Sequence, residues 1–107
     1  MGTEIRIEHR YPDALCFVRE HGAEALVILN DLLANADLHD DELVVQASTR
    51  QIAEHLEFLS KDTVHRRLRQ LRRARVIRTL ATTTTSVFQP PTYVVDLTGT
   101  GIAVTRT

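Results

Sequence analysis

The chain has 107 residues, 43% hydrophobic and 25% charged, with a formal net charge of −1. That size fits one domain with one modest core, no apolar run reaches the ~18 residues a membrane span needs, and the opening MGTEIRIEHRY lacks the apolar segment of a secretory signal. Cys16 is the only cysteine, which excludes an intrachain disulfide and points to the cytoplasm.

In chain order, TEIRIEH alternates Ile5 and Ile7 with charged residues, the two-residue period of a strand. Pro12, Asp13 and Gly22 frame a short helix over 12–20, because Pro fits a first turn, Asp a positive end and Gly a stop. Within it Cys16, beside Leu15, Phe17 and Val18, reads as a buried filler. AEALVILNDLLANA, residues 23–36, predicts a helix whose apolar residues Ala25, Leu26, Val27, Ile28, Leu29, Leu32 and Leu33 run wider than one stripe. Such a helix is covered on two sides, by the core and by either a partner subunit or the rest of its own chain. LHDDE is a polar connector; His39, Asp40, Asp41 and Glu42 read as a solvated acidic loop, since no second cluster has ligand spacing for a metal. ELVVQ predicts a strand.

STRQIAEHL begins with a capping box, Ser48 with Gln51, and places Ile52, Ala53 and Leu56 on one helical face, with His55 at the surface. EFL breaks that pattern. Ser60 then caps a second helix that carries Asp62 in its first turn and ends near Ala74. VIRTLA and TYVVDL predict two strands joined by the polar tract TTTTSVFQPP, and TGTGIAVTRT is a tail with room for an edge strand.

The near-neutral total hides a division. Residues 1–49 hold three basic and ten acidic residues, whereas residues 50–78 hold nine basic and three acidic. On the helix that Ser60 caps, Val64, Leu68 and Leu71 fall at i, i+4 and i+7 and face the core. Opposite them lie Asp62, Arg66, Arg69 and Arg73, with His65 and Gln70 beside and Arg67 and Arg72 flanking. A solvated helix interleaves Glu with Arg, because like charges at i,i+4 repel by a few tenths of a kcal/mol. No acid occurs between Thr63 and Val95. Such crowding is tolerated most easily when a polyanion such as double-stranded DNA, with about one charge per 1.7 Å of axis, neutralises it; the plainer reading is a solvated basic face.

Residues 47–77, ASTRQIAEHLEFLSKDTVHRRLRQLRRARVI, resemble the DNA-binding domains of bacterial winged-helix regulators of the GntR and MarR types. The resemblance rests on Ser48, Ile52, Ala53, Leu56, Ser60, Thr63, Val64, Arg66, Leu68, Leu71, Val76 and Ile77. Three features depart from it: the turn Glu57-Phe58-Leu59 is one residue longer, Arg75 replaces a helix-ending glycine, and the wing has no Lys or Arg. The longer turn and the lead-in from Leu43 to Ile52 are similar to the N-terminal domains of some plasmid replication initiators.

The resemblance implies an α+β fold, a winged helix-turn-helix with an extra N-terminal helical segment. Residues 1–40 would be the N-terminal strand and helices, 47–77 the helix-turn-helix core, 76–97 the wing hairpin and 98–107 the tail. Lys61, Asp62, His65 and Arg66 would reach base edges in the major groove. Ser48, Thr49, Arg50, Ser60, Thr63, Arg69 and Arg73 would hold the DNA backbone, and Thr82, Thr83, Thr84, Thr85 and Ser86 would form the wing. The implied partner is double-stranded DNA in a bacterial cytoplasm, bound by a homodimer joined through Leu26, Leu29, Leu32 and Leu33. The implied role is a transcriptional regulator or a plasmid or mobile-element control factor; the alternative is a winged-helix module that docks an acidic protein. No metal, cofactor or small-molecule ligand is expected. With no phosphate loop, paired carboxylates or nucleophile–base motif, neither is an enzyme activity.

Overall fold

The computed structural model describes residues 5–80 and 90–106. In chain order they form β1 (Ile5–His9), α1 (Asp13–His21), α2 (Ala23–Ala34), β2 (Asp37–His39), β3 (Glu42–Gln46), α3 (Thr49–Leu56), α4 (Lys61–Arg73), β4 (Ile77–Thr79), β5 (Thr92–Val95) and β6 (Ile102–Arg106). This is an α+β domain with, among the described residues, four helices and two antiparallel sheets. One sheet pairs β1 with β6, so the tail does supply a strand, in register Ile7 to Val104. The other has the order β2-β3-β5-β4. No helix among the described residues is long and apolar enough to cross a membrane.

Local chemistry sets the helix ends. Gly22 alone separates α1 from α2, at φ 92 and ψ 159, a conformation open to little but glycine. The capping box on α3 is complete: the Gln51 amide donates to Ser48 Oγ at 3.1 Å, and the Ser48 amide donates to Gln51 Oε1 at 3.0 Å. The Thr63 amide donates to Ser60 Oγ at the head of α4. Leu59 before that cap and Val64 in the helix are both buried, as in a hydrophobic staple. Val64, Leu68 and Leu71 are the buried residues of α4, as their spacing predicts.

α2 lies at the centre. It touches α1, α3, α4, β1 and β3. Ala25, Ile28, Leu29, Leu32 and Leu33 are all buried within the one chain, while Leu26 and Val27 are half-buried. The four leucines expected at a subunit interface pack within the one chain: α1, the α3–α4 pair and the two strands surround Leu29, Leu32 and Leu33, and Leu26 packs against the same core.

Two further expectations change. Cys16 is exposed rather than a core filler: α1 seats Ala14 and Phe17, three positions apart, and that turns Leu15 and Cys16 outward. LHDDE is a hairpin tip rather than a plain connector. β2 pairs with β3, and the two-residue turn Asp40-Asp41 has φ of 50 and 66, the mirror-image geometry that closes tight hairpins. Aspartate tolerates this conformation better than most residues.

β3 and β4 flank β5, with Val45 opposite Tyr93 and Ile77 opposite Val95. These four residues share one face and join the core beneath α2 and α4. The pairing of β4 with β5 runs on to Leu80, whose amide donates to the Thr92 carbonyl. Thr82, Thr83, Thr84, Thr85 and Ser86 lie outside the described residues.

Candidate nucleic-acid interface

α4 is held by its apolar side, so its other side is presented to solvent. Lys61, Asp62, His65, Arg66, Arg69, Arg72 and Arg73 are all exposed along its 13 residues. Arg66, Arg69 and Arg73 recur at three- and four-residue spacing and so share a face. At 1.5 Å per residue that row is about 10 Å long.

Which cations are free is decided by ion pairing. Arg67 donates from Nε and Nη2 to Glu24 Oε1 on α2, at 3.1 and 2.8 Å, and from Nη1 to Gln70 at 3.1 Å. Gln70 in turn reaches the His21 carbonyl at the end of α1. Arg67 therefore fastens α4 to α2. Arg50 pairs with Glu54 one turn on, and Arg78 pairs with Glu42 across the sheet. Among the described residues, none of Lys61, Arg66, Arg69, Arg72, Arg73 and Arg75 forms an ion pair.

The residues expected to touch DNA thus fall into groups. Lys61, Asp62, His65 and Arg66 come together on the exposed first two turns of α4, and Arg69 and Arg73 continue their row. Ser48, Thr49, Ser60 and Thr63 sit at the two helix N-termini, where Ser60 Oγ also donates to Thr63 Oγ1 at 3.0 Å. Thr63 Oγ1 in addition accepts from Arg66 at 3.5 Å. Arg50 is exposed but already engaged by Glu54.

Three features of this region carry no local signal in the sequence. Glu24 and Arg67 are 43 positions apart, so their pair is a product of the fold. Arg72 lies near enough to Tyr93 for its charge to act on that hydroxyl: burial raises the Tyr93 pKa above its ordinary value, and Arg72 draws it partly back. Phe58, in the turn before α4, is exposed.

The class of molecule defined here is an α+β domain that displays a basic helix on which, among the described residues, Lys61, Arg66, Arg69, Arg72 and Arg73 have no carboxylate partner. Comparison with protein families, with curated proteins and with solved structures finds no match to this chain.

Proposed function

We propose that this domain binds double-stranded DNA as a winged helix-turn-helix, with α4 in the major groove, and serves as a transcriptional regulator or a plasmid or mobile-element control factor. The observation that carries the reading is the density of unmatched cations on one helix. Within residues 50–78, Arg50, Arg67 and Arg78 are matched by carboxylates, whereas Lys61, Arg66, Arg69, Arg72, Arg73 and Arg75 are not, and these six cluster on and just beyond α4. A helix with its side chains is about 10–12 Å across, and the major groove is about 12 Å wide. The order β3, α3, α4, β4, β5, with β5 between β3 and β4, agrees with the winged arrangement.

In this reading Lys61 and Arg66 donate to guanine O6 and N7, Asp62 accepts from cytosine N4, and His65 reaches a base or a phosphate. Arg69 and Arg73, with the capping residues Ser48, Thr49, Ser60 and Thr63, fix register on phosphates. The test is duplex affinity against salt concentration. If about five phosphates are neutralised, the log–log slope is roughly −4 to −5. A flat dependence, or no duplex binding beside tight binding of an acidic protein, would replace this reading with that of a protein-docking module.

A further inference from the structure

We infer that Phe58 reads thymine: resting on the DNA-binding reading above, its phenyl ring packs against the 5-methyl group of a thymine at the edge of the α4 contact. The turn that carries it is built to hold Leu59, not Phe58. Leu59 is 8% exposed and Val64 is 0% exposed, so the staple that seats α4 is already made. Glu57 takes a left-handed φ of 59, and the Phe58 amide donates to the Leu56 carbonyl at 2.5 Å. Phe58 is 68% exposed and lies outside the core.

Position gives this ring its ligand. Phe58 is three residues from Lys61, so the two α-carbons are at most about 10 Å apart. A polyanion that Lys61 contacts is therefore within reach of the exposed ring. A phenyl group gains nothing from phosphates, and the polar edges of the bases already have donors and acceptors in Lys61, Asp62 and Arg66. The apolar group displayed in the major groove is the thymine methyl.

The experiment starts from a duplex selected by the wild-type chain out of random-sequence DNA. Each thymine is replaced in turn by deoxyuridine, which lacks only that methyl, and affinity is measured for wild type, Phe58→Ala and Phe58→Leu. Wild type should lose about fourfold at one thymine, the worth of one buried methyl at about 0.8 kcal/mol. Phe58→Ala should bind the thymine duplex more weakly and show no further loss with deoxyuridine there, while Phe58→Leu keeps part of the difference. Melting curves establish that both variants are folded, and the leucine variant alone suffices if the alanine one is not. A wild type indifferent to every replacement, or a Phe58→Ala variant with undiminished sensitivity, overturns the inference and leaves DNA binding standing. Failure of the wild type to select any duplex removes both.

Discussion

Arg75 occupies the position just past α4 where a glycine normally stands, and it shows what that costs. Its φ is 62, left-handed, and the turn around it is a Schellman closure: the Arg75 amide donates to the Arg72 carbonyl and the Val76 amide to the Leu71 carbonyl, each at 3.0 Å. A side chain in that conformation is strained by roughly 1–2 kcal/mol, part of which glycine would give back through its own greater freedom in the unfolded chain. Arg75→Gly should therefore raise stability by about 0.5–1 kcal/mol, read as a higher denaturation midpoint at an unchanged slope. A lower midpoint would mean that the arginine side chain contributes more than its backbone costs. Tyr93 makes a second residue-scale case. Because burial raises its pKa above the ordinary 10.0, the unfolded chain gives up this proton first. Between the two values the folded state holds more protons, so this contribution is complete below about pH 10 and is lost as pH rises through the folded value. Thermal melts from about pH 9 to about pH 11 should show that fall. Tyr93→Phe should flatten it; an equal fall in the variant would place the effect elsewhere.

At the scale of elements, α4 separates arginines that hold the fold from arginines left for a partner, and two substitutions tell them apart. Arg67→Ala breaks the link to Glu24 and Gln70 between α4 and α2. Both ends of the ion pair reach solvent, with side chains 31% and 41% exposed, so the loss should be modest, about 0.5–1 kcal/mol of stability, with little change in the salt slope of duplex binding. Arg69→Ala should do the reverse, leaving the melting temperature within error and reducing the slope by about 0.9. If both variants changed the slope alike, the ion pair would have to open on DNA. The same division governs what the sequence disclosed. Caps, stops and the buried stripe of α4 are local patterns, and Ser48, Gln51, Ser60, Val64, Leu68 and Leu71 stand where their spacing puts them. The exposed row Arg66, Arg69 and Arg73 follows from that same stripe. Pairings between distant residues have no such signature: neither Glu24 with Arg67 nor Arg78 with Glu42 could be read from neighbours in the chain. The β2–β3 hairpin was missed because Asp40-Asp41 lacks the glycine that usually marks a two-residue turn.

For the molecule as a whole, the question is how 107 residues bury a helix as apolar as α2. Periodicity showed that the helix needs cover on more than one side but not who provides it. The answer lies in topology: the tail returns as β6 to pair with β1, and β1, α1, α3, α4 and β3 together enclose α2. The leucines that would have joined two copies are consumed inside one, with Leu29 and Leu33 at 0% and Leu32 at 1% exposure. This has a consequence for unfolding. When a buried stripe belongs to a subunit interface, folding and association are linked, and the melting temperature rises with protein concentration. When the stripe is enclosed by its own chain, the stripe itself makes no such link. Leu29→Ala should therefore cost about 2–5 kcal/mol. Over a hundredfold range of protein concentration, the melting temperature should depend on concentration to the same extent in wild type and variant. A melting temperature that climbs with concentration in the wild type and climbs more steeply in Leu29→Ala would return these leucines to a subunit interface and overturn the enclosure of α2 within one chain.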